Sequence, residues 1–185
     1  MTAAVRFSTA WCMPSPWTFQ MEPVRAFLAR HLTGRRCIVD PFCGTSQIGH
    51  FRNDLGRGGV DAEDFLRNLI RQGVRADAVL FDPPYSPRQV AECYAGTGRK
   101  ITMADTQNGA PNKRVKALLR EILDEGGIAL SFGWQSSGFG RAWETVEILL
   151  VQHGGAHNDT ICVAQRPPRL PLFDPQSEGH IGEMD

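Results

Sequence analysis

The chain has 185 residues, of which 42% are hydrophobic and 22% charged, as is ordinary for one globular domain with a substantial core. Its formal net charge is zero, which disfavours a nucleic-acid-binding protein of the usual basic kind unless the charges are segregated on the surface. No apolar run reaches transmembrane length and the N-terminus lacks a secretory pattern, so we expect a cytoplasmic protein. The five cysteines contain no Cys-x-x-Cys pair, which argues against a disulfide framework or a zinc site.

The N-terminal segment, residues 7–33, is expected to be a loop followed by a helix. Pro23 suits the first turn of a helix, and Val24 and Phe27 recur at helical spacing. Gly34 follows as a stop signal, so the helix should end just before it.

A short buried strand is predicted over Cys37–Asp40, and the residues after it, Pro41–Ser46, turn over its carboxyl end. Gly44 has no side chain, so a cofactor can approach the backbone closely there, and Phe42 can cover it. The segment lacks a Gly-x-Gly-x-x-Gly pattern, which disfavours a dinucleotide site for NAD or FAD.

The connection from this strand to the second one is too short for a helix. Only residues 46–51 separate the turn from Asp54 and the two residues before it. We therefore predict that the first crossover helix is missing or reduced to a turn, with Ile48–Phe51 already in a strand. Asp54 then stands at the end of the second strand, where an acidic side chain can bind ribose hydroxyls.

The next strand, predicted over residues 78–81, ends abruptly in Asp82-Pro83-Pro84-Tyr85. The prolines fix φ and lack N–H groups, and the first one disfavours a helical backbone at Asp82. Asp82 should therefore lie on a stiff segment at a strand tip, where open α/β sheets bind ligands. A short helix is predicted over residues 86–94. Residues 95–110 are either a lid or a plain surface connection.

The sequence of residues 113–164 predicts one helix and three strands. Residues 113–123 form an amphipathic helix that Gly126 and Gly127 end. Its polar face, which is either solvated or in contact with phosphates, carries Lys113, Arg114, Lys116 and Arg120. Residues 128–132 form a buried strand, and Trp134 after it lines a pocket or packs in the core. Residues 145–151 and 159–164 suit a hairpin. Its connection contains two histidines but no cysteine at ligand spacing, so no metal site is predicted.

The Asp-Pro-Pro-Tyr segment resembles motif IV of the amino-methyltransferases, which use S-adenosylmethionine to methylate the exocyclic amine of adenine or cytosine in nucleic acid. Asp40–Thr45 resembles their motif I, Asp-Pro-Phe-x-Gly-[Ser/Thr], and Thr18–Pro23 resembles a variant of their motif X. The continuation Ser-Pro-Arg-Gln after Tyr85 is similar to that of small adenine methyltransferases of phages and prophages. The resemblance covers residues 17–165 and implies the Rossmann-like S-adenosylmethionine-dependent methyltransferase fold, an α/β fold with a mostly parallel sheet, a C-terminal antiparallel strand pair and, here, a reduced first crossover helix.

The resemblance also implies roles for three groups of residues. The Asp82 carboxylate and the Pro83 carbonyl would orient the target amine, and Tyr85 would stack on a flipped base. Asp61 would meet the adenine amine of the cofactor, although a helix N-cap explains this residue equally well. The implied catalytic residues are Asp82, Pro83, Pro84 and Tyr85. The implied cofactor-binding residues are Thr18, Phe19, Asp40, Pro41, Phe42, Cys43, Gly44, Thr45, Asp54, Asp61 and Ala62. The implied nucleic-acid-binding residues are Arg88, Arg99, Lys100, Lys113, Arg114, Trp134 and His157.

The implied reaction is methyl transfer from S-adenosylmethionine to the N6 amine of adenine in DNA, in the cytoplasm of a bacterium or of a phage-infected host. Asp rather than Ser at position 82 favours adenine. Two alternatives stay open: an RNA adenine or cytosine-N4 methyltransferase, and a non-catalytic nucleic-acid-binding relative that acts as a partner subunit, for which the absent helix argues. No segment is long enough for a separate target-recognition domain, so sequence choice would come from residues 95–116, from a homodimer partner, or be relaxed.

The chain divides into an expected catalytic domain, residues 1–166, and a tail, residues 167–185, whose composition is typical of disorder. Within the tail, Leu170–Phe173 resembles the short Leu-x-Leu-Phe core that bacterial replication proteins insert into the sliding clamp. The sliding clamp is therefore a further partner hypothesis.

Overall fold

A computed structural model of the chain describes residues 4–84, 110–155 and 157–168. The helices are α1 (Glu22–Leu32), α2 (Ala62–Arg71) and α3 (Ala110–Ile122), with short 3-10 turns at Thr18–Gln20 and Leu55–Arg57. The strands are β1 (Arg6–Trp11), β2 (Ile38–Asp40), β3 (Phe51–Arg52), β4 (Ala76–Phe81), β5 (Leu123–Gly133), β6 (Glu144–Gln152) and β7 (Thr160–Arg166).

These strands form one seven-stranded sheet in the order β1-β6-β7-β5-β4-β2-β3. Neighbouring strands are parallel except at β7, which runs antiparallel to both β5 and β6. The predicted fold class is therefore confirmed: the sheet is Rossmann-like and mostly parallel, and the last two strands of the chain, β6 and β7, form an antiparallel pair.

The core lies on both faces of the sheet. On one face α1 packs Phe27 and Leu28 against the strands, because its apolar residues recur on one side of the helix. On the other face α2 and α3 bury residues such as Leu66 and Leu119 against β4 and β5. The central strands are buried on both faces and carry nearly continuous apolar runs, as parallel strands under two helical layers require.

The missing crossover helix is confirmed, since no helix lies between β2 and β3 in this described stretch of the chain. The second strand, however, is shorter than predicted and begins at Phe51 rather than Ile48. The His50 side chain explains this. Its Nδ1 accepts a hydrogen bond from the backbone N–H of Ile38 at 3.1 Å, in the place of a strand carbonyl.

Two further predictions were wrong. The segment before α1 is not only a loop, because residues 6–11 form β1, parallel to β6. Phe7, Thr9 and Trp11, at alternate positions of this segment, are residue types enriched in strands. The third helix also ends at Ile122, before the two glycines, and the chain enters β5 directly. The Arg75 guanidinium donates to the carbonyl oxygens of Glu121 and Leu123, which satisfies backbone acceptors at this helix end.

None of the helices in the described ranges has the length and apolar character needed to cross a bilayer. The predicted helix over residues 86–94 and the tail from residue 169 lie outside the described residues, as does most of the predicted lid.

Candidate active site

A cleft of about 1750 Å³ opens at the carboxyl ends of β2, β3, β4 and β5. Ligands bind at this edge in open α/β sheets, because the strand ends and the loops after them converge there. Its volume exceeds that of a typical single small-molecule pocket, so it has room for two ligands side by side. The predicted site residues that line it are Thr18, Phe19, Pro41, Phe42, Cys43, Gly44, Thr45, Asp54, Asp61, Ala62, Asp82, Pro83, Pro84, Lys113, Arg114 and Trp134.

Asp40, at the end of β2, is fully buried beneath the cleft. Its Oδ1 accepts a hydrogen bond from the backbone N–H of Phe42 at 3.2 Å, and its Oδ2 has no partner among the described residues. Burial raises the pKa of Asp40 to about 8; the Phe42 hydrogen bond opposes this shift, and the nearby charges of Asp82 and Asp54 add to it. A buried, unpartnered carboxylate oxygen is costly, which favours the protonated form of Asp40, and this residue is not part of the cleft lining.

The loop after β2 is shaped around Gly44, whose φ is +53°. A Cβ at this position would lie 3.0 Å from Cζ3 of Trp17, so the indole packs directly over the glycine. The Gly44 N–H donates to Asp54 Oδ2 at 2.9 Å. Asp54, predicted at the end of the second strand, thus holds the glycine loop through Oδ2, and the residue also lines the cleft.

Asn53 holds the rest of this loop in place of the missing helix. Its side-chain amide donates to the carbonyl oxygens of Pro41 at 3.3 Å and Val60 at 2.9 Å, and its Oδ1 accepts from the Val60 N–H at 3.0 Å. Its backbone carbonyl accepts from the Cys43 N–H at 2.9 Å. One buried side chain therefore joins the start and the end of the segment between β2 and α2.

At the start of α2, Asp61 accepts a hydrogen bond from the Glu63 N–H at 2.9 Å, so the predicted N-cap is confirmed. Asp61 also lines the cleft next to Ala62. Capping therefore places its carboxylate at the wall of the cleft.

Asp82 follows the last residue of β4 directly, at the strand tip that the sequence predicts. Its Oδ1 is buried and has no hydrogen-bond partner in the described part of the chain. Burial raises the pKa of Asp82 to about 7, against a smaller lowering by a hydrogen bond from the Thr18 side chain. Pro83 and Pro84 follow it in the cleft wall and keep this carboxyl group on a stiff backbone.

Two groups of aromatic rings pack on opposite faces of the sheet. The rings of Phe19 and Phe132 meet edge to face at a centroid distance of 4.9 Å, and the Phe81 ring contacts Phe42 and Phe139, each at 5.8 Å. Trp134 is 47% exposed and lines the cleft, so the alternative that it packs in the core is wrong.

Several residues of the cleft were not singled out for it from the sequence, and among them Trp17, Asn53 and Lys116 make the most informative contacts. The Lys116 ammonium lies 4.9 Å from the Phe81 ring centroid and donates to the Gly138 carbonyl, and its burial lowers its pKa. The sequence placed Lys116 on the polar face of this helix, but it gave no indication that the side chain lies in the cleft. Neither Trp17 nor Asn53 carries a sequence signal of its own, since each acts through a contact that no regular local pattern predicts.

The predicted nucleic-acid-binding residues are placed unevenly. Lys113 lies exposed at the cleft, and Arg114 Nε donates to Glu63 Oε1 at 2.7 Å, which ties α3 to α2. His157 is exposed in the β6–β7 turn and does not line the cleft. Its neighbour Asp159 accepts a hydrogen bond from the His153 N–H at 3.0 Å. The predicted residues outside the described ranges are Tyr85, Arg88, Arg99 and Lys100.

Comparisons with known proteins found no matching family model and no matching curated protein. Among solved structures, the chain is similar to the Escherichia coli protein yhhF, which is assigned as a methyltransferase, at 13% identity and a TM-score of 0.43, over 85% of this chain and 91% of that one. It is also similar to the N-methyltransferase NodS of Bradyrhizobium japonicum WM9, at 12% identity and a TM-score of 0.39, over 90% and 88% of the two chains. A SAM-dependent methyltransferase of Agrobacterium tumefaciens matches at 17% identity and a TM-score of 0.34, over 59% of this chain and 38% of that one. Similarity of this degree does not extend to substrates or to site residues.

Proposed function

We propose that this protein transfers a methyl group from S-adenosylmethionine to the exocyclic N6 amine of adenine in DNA. The observation that carries the proposal is the buried, unpartnered Oδ1 of Asp82 at a strand tip, in a cleft that also holds the glycine loop. An acceptor kept dry and rigid in this position suits a ligand group that brings its own N–H donor.

The chemistry of an aromatic amine explains the need for such an acceptor. The lone pair of an exocyclic amine is delocalised into the ring, so the nitrogen is a poor nucleophile. Asp82 would accept a hydrogen bond from one amine hydrogen and the Pro83 carbonyl from the other, which stabilises the positive charge that develops on nitrogen during transfer. Because the proline backbone is stiff, these acceptors need little reorganisation. The hydrogen bond from the amine would in turn favour the ionised form of Asp82.

The residues of the glycine loop fit the proposed cofactor. A Cβ at Gly44 would lie 3.0 Å from the Trp17 ring, so the packing of the indole against this loop requires a glycine. Asp54 lines the cleft beside this loop, and its carboxylate would bind ribose hydroxyls. When bound, S-adenosylmethionine supplies the electrophilic methyl group.

A base taken out of the nucleic-acid stack would find aromatic surface near Asp82. Phe19 and Trp134 line the cleft, and Phe132 supports Phe19 from below. Base–aromatic stacking contributes about 1–3 kcal/mol per base, which helps to offset the cost of unstacking. Tyr85, proposed to stack on the base, follows this wall directly in sequence.

The test is methyl transfer from labelled S-adenosylmethionine to unmodified DNA and to RNA, followed by nucleoside mass spectrometry. We expect N6-methylated adenine in DNA. Methylation of RNA adenine or of cytosine N4 would support methyl transfer to an exocyclic amine but would show that the proposed substrate is wrong. If no polymer is methylated and calorimetry detects no cofactor binding, the proposal fails and the chain is a non-catalytic relative.

A further inference from the structure

One end of the sheet presents an apolar surface that no helix of the described chain covers. Phe7 and Trp11 of β1 are each 65% exposed. The register places Phe7 beside Ile148 of β6, which is half-buried on the same face. The layer formed by α2 and α3 packs over β2, β4 and β5, and residues 134–143, which connect β5 to β6, contain no helix.

The outer edge of β1 is open as well. The Cys12 N–H donates to the Gln152 carbonyl of β6 at 3.0 Å. The backbone groups of even-numbered residues in and next to β1 therefore face β6. Alternate residues of a strand direct their backbone groups to opposite edges. Phe7, Thr9 and Trp11 therefore point their N–H and C=O groups away from the sheet, and no strand among the described residues pairs with them.

This edge lacks the features that keep strand edges apart. The only charge in β1 is on Arg6, and its Nε lies 3.7 Å from Glu147 Oε1 of the neighbouring strand. The strand contains no proline and no lysine. The opposite edge of the sheet, β3, has only two residues and is protected by its shortness.

We propose that β1 pairs with β1 of a second copy of this chain, antiparallel, about a two-fold axis at Thr9. Phe7 and Trp11 lie two positions on either side of Thr9, so this register sets Phe7 opposite the partner's Trp11 on the exposed face. All the outward backbone groups of Phe7, Thr9 and Trp11 then have partners. A two-fold interface has to be self-complementary, and this strand meets that requirement.

A second copy is favoured over other occupants by charge and by area. The chain has zero formal net charge, so two copies do not repel each other. Aromatic side chains bury about 150–250 Å² each, so the exposed parts of two phenylalanines and two tryptophans supply on the order of 400–650 Å². The strand backbones and the half-buried Ile148 and Leu150 bring the total near the roughly 1,000 Å² of a specific interface. The cleft lies at the other strands, so both clefts stay open.

The test compares Thr9→Pro with Thr9→Val by sedimentation over a wide range of protein concentration. Proline removes the outward N–H at a position where an edge strand tolerates it, whereas valine keeps the N–H and the strand propensity. We expect dimers for wild type and Thr9→Val, and a dissociation constant raised about tenfold or more for Thr9→Pro. Phe7→Lys, at an exposed side chain, should also give monomers, and circular dichroism checks that both variants fold.

A wild-type chain that is monomeric at every concentration would overturn the proposal. So would a dimer that neither Thr9→Pro nor Phe7→Lys weakens, because another surface would then form it. For a monomeric wild-type chain, amide exchange identifies what covers the edge instead. If deleting residues 169–185 speeds exchange at the Thr9 N–H, the C-terminal segment of the same chain covers it.

Discussion

At the scale of single residues, the site depends on two carboxyl groups at neighbouring strand ends. Asp40 and Asp82 end β2 and β4, which pair directly. Each keeps one buried oxygen without a partner among the described residues, and burial raises the pKa of both. Proteins satisfy buried polar atoms almost without exception, so two such atoms at adjacent strand ends, one in the cleft wall and one beneath it, indicate a region built for ligands rather than for stability.

Asp82→Asn tests the residue that we assign to the amine. The amide keeps the size of the side chain but brings an NH₂ group where the target amine needs an acceptor. We expect methyl transfer to fall by about 10²–10³-fold or more, as when one group that stabilises developing charge is removed. Cofactor affinity, measured by calorimetry, should change little.

The control for Asp82→Asn is Asp124→Asn, which removes an exposed carboxylate that pairs with Arg75 at the far end of β5. Its activity should equal that of wild type. Because Asn needs no ionisation, Asp82→Asn should unfold no more easily than wild type, which separates a catalytic defect from misfolding. Wild-type turnover by Asp82→Asn would refute the assigned role.

At the scale of elements, the unusual feature is the loop between β2 and α2, which has no crossover helix. A helix would normally satisfy these backbone groups internally and hold the loop against the sheet. Here Asn53, Asp54 and His50 make the equivalent bonds to Val60, Gly44 and Ile38. The shortened crossover is therefore compatible with an ordered glycine loop, and the missing helix does not by itself argue for a non-catalytic relative.

Asn53→Ala tests this explanation. It removes the partner of the buried Pro41 carbonyl and of the part-buried Val60 carbonyl and N–H, and a buried group left unsatisfied costs about 1–3 kcal/mol. We expect the unfolding free energy to fall by about 2 kcal/mol or more and the affinity for S-adenosylmethionine to fall with it, in denaturation and calorimetry. Asn68→Ala, on the exposed face of α2, is the matched control and should change neither. Unchanged cofactor affinity in a destabilised Asn53→Ala protein would show that the loop is held by other contacts.

At the scale of the whole molecule, the buried carboxyl groups make stability depend on pH. A carboxyl group with a raised folded-state pKa binds its proton more tightly in the folded state. Its contribution to stability is complete below its unfolded pKa, near 4, and is lost as pH rises through the folded pKa. For Asp40 and Asp82 those folded values are about 8 and about 7. The ligand-free protein should therefore lose stability between about pH 5 and pH 8.

Asp40→Asn makes this prediction specific. Asparagine keeps the acceptor for the Phe42 N–H but cannot ionise, so the fall of unfolding free energy between about pH 6.5 and pH 8 should be shallower than in wild type. Denaturant titrations at several pH values measure it, with Asp124→Asn as control. Comparison with wild type matters because burial lowers the pKa of His31, which gives the opposite slope at lower pH. Identical slopes for wild type and Asp40→Asn would exclude Asp40 as the source.

Much of the fold and part of the site followed from local chemistry. The apolar run before Asp82 and the two prolines after it place a carboxylate at a strand tip, because those residue types restrict the backbone wherever they occur. The short spacing between Gly44 and Asp54 likewise leaves too few residues for a turn, a helix and a strand. These predictions depend only on residues that are close in the sequence, so the folded structure agrees with them.

The roles of Trp17, Asn53, Lys116 and β1 could not be found in this way. Trp17 covers a glycine 27 positions along the sequence, Lys116 turns into the cleft only because α3 packs beside Phe81, and β1 becomes an edge strand only by pairing with β6. Each depends on contacts between distant segments. Composition and spacing state which side chains are present and which backbone each prefers, whereas burial, pairing and an unpartnered oxygen are properties of the packed molecule alone.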